Sequence, residues 1–172
     1  MAPQYIERRR GSGVNANVSE PSYSPATHQV QGLTLLLFLV CISEIVRLKP
    51  EPRVMAWIET VEETLLYLSV LTLGEIRKGL AALPQGKRRS RLETWLEVEL
   101  QARFSGRILS IDAAVADRWG LLAANAKSKG KRLSAIDGLL AATAIHHNLT
   151  IVSRNVGDFT NTHVPVVNPW EP

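Results

Sequence analysis

With 172 residues, 45% of them hydrophobic and 21% charged, the chain has the length of one ordinary domain and enough apolar material to bury a core. A formal net charge of +4 suits a polyanionic partner and equally suits a solvated basic face, so charge by itself selects no function. A lone cysteine, Cys41, excludes a disulfide framework and a cysteine-based zinc site, and it points to a reducing, cytoplasmic setting.

Residues 1–32 carry Pro, Ser, Asn, Gly and Gln with no sustained period, which predicts a flexible tail ahead of a folded domain at 33–172. The stretch from Leu33 to Ile42, LTLLLFLVCI, has about half the roughly 20 residues that a bilayer span needs, so no membrane segment is expected. Arg8, Arg9 and Arg10 are separated from it by a polar stretch, which argues against a secretory signal. The run LLLFLVC is apolar at every position and predicts a central parallel strand covered on both faces. A short helix at Ser43 to Leu48 follows, broken by Lys49-Pro50-Glu51-Pro52, and Val54, Trp57, Ile58 and Val61 recur at helical spacing. A second strand is expected over Leu66 to Thr72, running into the helical LGEIRKGLAAL. A long amphipathic helix over Lys87 to Phe104 carries Leu92, Trp95, Leu96 and Leu100 on its apolar stripe. Strand three is expected at Arg107 to Ile111, with Asp112 as N-cap of the helix holding Val115, Trp119, Leu122 and Ala123. Gly130 ends that helix, another runs from Ser134 to about His147, TIVS makes strand four, and Val164 to Val167 makes an edge strand that tolerates Pro165. The order βααβααβααβ with a late short strand is that of a layered α/β domain.

Three carboxylates, Glu75, Asp137 and Asp158, fall just past a strand or in an early helical turn. In an open parallel sheet such positions face the crevice beyond the strands' carboxyl ends. Acids converging there suit a hard cation such as Mg²⁺, which prefers oxygen ligands and can polarise a phosphate. Each has a structural explanation too. Thr72-Leu73-Gly74-Glu75 and Ser134-Ala135-Ile136-Asp137 both resemble capping boxes, and Asp158 sits in an Asn-Val-Gly-Asp turn. Spacing alone leaves both readings open. His146 and His147 read as helix-terminal residues, Asp112 as a cap, Asp117 as a surface acid, and the tryptophans as core or dimer contacts. The GKRRSR run from Gly86 to Arg91 could touch a phosphate backbone or simply be hydrated. No Gly-rich phosphate loop is present.

Taken together, LYLSVLTLGEIRKGLAALPQGKRR, LSIDAAVADRWGLLAANAKSKGKRLSAIDGLLAATAIHHNLTIVSRNVGDF and VPVVNPWEP resemble PIN domains of the VapC/FitB type, the toxin half of bacterial toxin–antitoxin pairs. The resemblance runs from about Ile42 to the C-terminus. It implies a PIN-like three-layer sandwich with a central, mostly parallel sheet flanked by helices. It also implies a metal-dependent ribonuclease whose acids bind Mg²⁺ or Mn²⁺, a homodimer, and a cognate antitoxin lying across helices near the pocket. Carried over by motif, the metal-binding acids are Glu75, Asp137 and Asp158, with Ser153 and Asn155 as polar residues on the substrate side. The chain departs from the family at its first strand. Aligning on Ser43-Glu44 places Phe38 where the leading metal-binding Asp stands and Val40 where a polar residue stands. The polar stretch upstream is also foreign to the family, and the two anomalies together suggest a misplaced start, a frameshift or a decayed copy with reduced activity.

Overall fold

Short apolar runs that alternate between two buried faces generate a parallel sheet in the computed structural model, which describes residues 33–37, 39–47 and 49–171. The expected tail, residues 1–32, and Phe38 lie outside the described residues. The strands are β1 (Leu35–Leu37), β2 (Leu66–Ser69), β3 (Ile108–Leu109), β4 (Thr150–Val152) and β5 (Val166–Val167). They are ordered β3-β2-β1-β4-β5, and every pairing is parallel. The expected edge strand is β5, with the Pro165 carbonyl accepting the Ile151 N–H at 2.9 Å; proline needs no amide for that bond.

The helices are α1 (Leu39–Val46), α2 (Pro52–Thr60), α3 (Val70–Ala81), α4 (Lys87–Thr94, continuing through a π-helical stretch, Trp95–Leu100, into Gln101–Arg103), α5 (Ala113–Ser128) and α6 (Ala135–His146). Strand alternation assigns them to layers. Leu35 and Leu37 of β1 and Leu66 and Leu68 of β2 pack with Ile42 of α1, Trp57 of α2, Ile76 and Leu80 of α3, and Trp95 and Leu100 of α4. Leu36 points the other way, into a cluster with Leu140, Ala141 and Ala144 of α6 and with Phe159. Each of these leucines is almost fully buried and contributes about 1.5–3 kcal/mol of transfer free energy. The result is the expected three-layer α/β/α sandwich. Among the described residues, no helix is long and apolar enough to cross a membrane.

Several expected boundaries move: β3, β4 and β5 are shorter than expected, and two shifts fall at the strand-to-helix junctions near the site. Among the described residues of the apolar run at 35–41, Leu35–Leu37 is extended and α1 begins at Leu39, so the run is not one strand. A strand buried on both faces and a buried first helical turn carry the same uniformly apolar pattern, so periodicity cannot separate them. The second strand likewise stops at Ser69, because its hydroxyl accepts the Leu71 N–H at 3.2 Å and caps α3 from Val70 onward. The fully buried Glu44 ties α1 to the following turn, accepting from Arg47 at 2.6 Å and from the Glu51 N–H at 2.9 Å.

Candidate functional site

Parallel pairing puts the carboxyl ends of all five described strands on one edge. The chain steps from β1 outward to β2 and β3, then returns to the other side of β1 for β4 and β5. A crevice therefore opens at that edge where β1 meets β4.

Glu75 reaches this edge on α3. The fully buried Thr72 donates its hydroxyl to the Leu37 carbonyl at 3.5 Å, tying the first turn of α3 to the end of β1. The expected capping box of Thr72 with Glu75 does not form, since the cap is Ser69 and Glu75 falls in the second turn, beyond the free amides. Its carboxylate has no capping role to explain it. Glu75 Oε2 is buried and has no hydrogen-bond partner within the protein. Burial pushes the Glu75 carboxyl above its ordinary pKa, the negative charge of Asp137 raises it further, and Lys78 partly offsets both. The two acids, 62 positions apart in the numbering, therefore sense each other's charge across the fold.

Asp137 combines both readings offered for it. Ser134 caps α6 by accepting the Asp137 N–H at 3.0 Å, and the same hydroxyl donates to Asp137 Oδ2 at 2.5 Å. The cap holds the side chain in one orientation while its charge still acts on Glu75. Asp158 is exposed, in a 3-10 turn over Val156–Phe159 that follows β4. Phe159 is buried against α6, so the turn is fastened to the helix that carries Asp137. Ser153 is fully buried, and its hydroxyl accepts the Asn155 N–H at 3.1 Å, shaping the loop that presents the exposed Asn155. Among the described residues, no three His, Cys, Asp or Glu side chains are grouped closely enough to hold a metal ion together. The structure thus couples Glu75 with Asp137 and leaves Asp158 outside a compact trio.

The remaining candidates take structural roles. Asp112 caps α5 by accepting the Val115 N–H at 2.8 Å, and that bond holds its carboxyl below the usual range. His146 and His147 stack edge to face at 4.8 Å, and burial, with the adjacent His146, pushes His147 down. In the GKRRSR run, Arg89 pairs with Glu93 at 2.8 Å and donates to the Ala81 and Leu83 carbonyls, both at 3.2 Å. Sequence reasoning missed Ser69, which caps α3, and Lys78, which moderates Glu75, and it read Thr72 as a cap where Thr72 instead ties α3 to β1. A Ser at the last strand position followed by a Thr three residues on was the available signal for Ser69 and Thr72.

Comparison with known proteins agrees with this architecture. A family model described as PIN domain matches residues 40–162. The chain is 40% identical over 136 residues to toxin FitB of Neisseria gonorrhoeae, covering 79% of this chain and 98% of that protein. It is 39% identical over 131 residues to VapC ribonuclease Y4jK of Sinorhizobium fredii, covering 76% and 94% respectively. The crystal structure of FitAcB from N. gonorrhoeae superposes with a TM-score of 0.77 at 40% identity, covering 80% of this chain and 99% of that one.

Proposed function

We propose, because this chain belongs to the PIN-domain family in its VapC/FitB branch, that it is the ribonuclease toxin of a toxin–antitoxin pair, cleaving RNA by metal-assisted phosphodiester hydrolysis. One observation carries the site assignment: a buried carboxylate oxygen of Glu75 lacks a protein partner and faces the charge of Asp137. A negative charge near a buried carboxyl raises its pKa, as at Glu75, and a divalent cation relieves that repulsion. The donor set therefore fits Mg²⁺ or Mn²⁺, which Glu75 and Asp137 would hold, with Asp158 standing outside the pair on the turn after β4. When bound, the ion supplies Lewis-acid polarisation of the scissile phosphodiester and a lowered pKa for an attacking water. The chain's own residues do the positioning: Ser134 fixes the rotamer of Asp137, Thr72 fixes the start of α3, and Ser153 shapes the loop leading to Asn155 and Asp158. The expected partners are the RNA substrate, a second copy of the chain and a cognate antitoxin, in the cytoplasm. The FitAcB and FitAB structures, the latter bound to a DNA fragment, support the antitoxin assignment by similarity.

RNA incubated with the purified protein and millimolar Mg²⁺ should be cut, and Asp137→Asn should reduce cutting to background. Cleavage that survives Asp137→Asn would remove the acid pair from the mechanism. A second reading is favoured by Phe38, which stands where relatives of this type carry an Asp: a PIN domain that pairs with itself and binds antitoxin without cutting. Removing a carboxylate weakens the hold on Mg²⁺, so activity is placed below that of an ordinary member. Phe38→Asp should then raise metal affinity and growth inhibition on induction. Equal toxicity of the two forms would reject the alignment at Phe38, whereas co-purification of antitoxin with a chain that cuts no RNA would establish the second reading.

A further inference from the structure

We infer that the groove at the turn between α5 and α6 is a phosphate-binding subsite that grips the RNA backbone beside the acid pair. The inference rests on the ribonuclease reading above and adds to it the residues that hold the strand. The groove encloses about 570 Å³ and is lined by Ala126, Lys127, Lys131, Arg132, Leu133 and Ser134, among others. Its floor is apolar and buried at Ala126, while Lys127, Lys131 and Arg132 are exposed. Among the described residues none of these three cations is paired with a carboxylate, whereas Arg47, Arg77, Arg89, Arg103 and Arg107 are all committed to ion pairs with acids. Lys127, Lys131 and Arg132 therefore present their charge to solvent at this turn, where an external anion can meet it.

The turn is also held in shape. Gly130 adopts φ +64, its N–H donates to the Lys127 carbonyl at 3.0 Å, and the Lys131 N–H donates to the Ala126 carbonyl at 2.9 Å. This pair of bonds closes the end of α5 as a Schellman motif and sets the direction in which Lys131 and Arg132 leave the helix. Below it, Gly138 lets α6 approach α5 so closely that a Cβ there would lie 2.9 Å from Trp119 Cδ1 and 3.2 Å from Leu133 Cδ2.

The groove and the acid pair share a wall. Ser134 lines the groove, and its hydroxyl bonds the Asp137 carboxylate that faces Glu75. Two carboxylates alone repel a phosphodiester, and beyond the charge that a divalent ion offsets, adjacent cations that hold neighbouring phosphates favour the approach of a strand. Lys127, Lys131 and Arg132 stand at that place, and the exposed ammonium and guanidinium groups read charge rather than base identity.

Binding is measured with a fluorescent single-stranded RNA oligonucleotide on Asp137→Asn protein, which separates binding from cleavage, over a series of salt concentrations. On that background Lys127→Ala/Lys131→Ala/Arg132→Ala should weaken affinity about tenfold or more at low salt and make the log–log salt slope shallower by about 2, the effect of three lost phosphate contacts. Lys87→Ala/Arg88→Ala, at the start of α4, should leave both nearly unchanged, and melting curves confirm that each variant folds. Unaltered RNA affinity and slope in the triple variant, in a protein whose wild type cuts RNA, would overturn the subsite and leave the ribonuclease reading standing. Loss of antitoxin binding with intact RNA binding would overturn it in favour of a protein-docking surface. Failure of the groove-intact protein to bind RNA at all, with no cleavage by wild type, would remove the ribonuclease reading and this inference with it.

Discussion

Glu75 shows how a residue can be costly to a fold and useful to a site. A carboxyl whose pKa is raised in the folded state binds its proton more tightly there than in the unfolded chain, so stability falls as pH climbs from the unfolded value to the folded one. At neutral pH the raised pKa therefore counts against folding, first through burial and then through Asp137. Glu75→Gln should raise the Tm of metal-free protein at neutral pH, with the gain vanishing below the usual carboxylate range, as followed by calorimetry across pH in a chelator. A lower Tm for Glu75→Gln at neutral pH would mean that the charge is compensated by the protein and not held for a cation. Asp137 differs, since its carboxylate is engaged by Ser134 and its place at the start of α6 also suits the helix dipole. At this scale the sequence offered two acids with the same apparent capping pattern. Only the position of the true caps, Ser69 for α3 and Ser134 for α6, told them apart.

Helix pairs decide how firmly those acids are held. The contact between α5 and α6 depends on Gly138, where an added methyl group would press on the Trp119 ring and Leu133. Gly138→Ala should cost about 1–3 kcal/mol by overpacking, and it should loosen the hairpin that carries Asp137. Gly120, inside α5, has open space where a methyl group would stand, with nothing within 4 Å, so Gly120→Ala should instead stabilise by about 0.5–1 kcal/mol. Denaturant unfolding of the two variants gives opposite signs if the close approach is as described, and equal stabilisation would refute it. The elements themselves were largely legible: all six helices and five strands described here occur in the order that periodicity implied. Their ends were less so, at Leu39, where a uniformly apolar run hides the change from a period of 2 to one of 3.6, and at Val70, where the Ser69 cap starts the helix inside an apolar stretch.

Across the whole molecule, the acidic edge depends on a core residue distant from any chemistry. Phe159 is 1% exposed and packs with Leu140, Ala141 and Ala144, fastening the Asp158 turn to α6. Phe159→Ala should cost about 3–5 kcal/mol and release that turn, read as faster hydrogen exchange at the Thr162 amide, which donates to the Phe159 carbonyl at 3.0 Å. Undiminished protection there would show that the turn holds itself. By itself the sequence determined the class of fold and the central place of β1, and it nominated the acids, because uniformly apolar strands, amphipathic helices and local motifs are properties of neighbouring residues. Tertiary structure alone decided that the charge of Asp137 reaches Glu75, and that no three acids among the described residues form a compact metal-binding group. Charge interaction depends on distance in space, and strand order together with helix packing sets that distance.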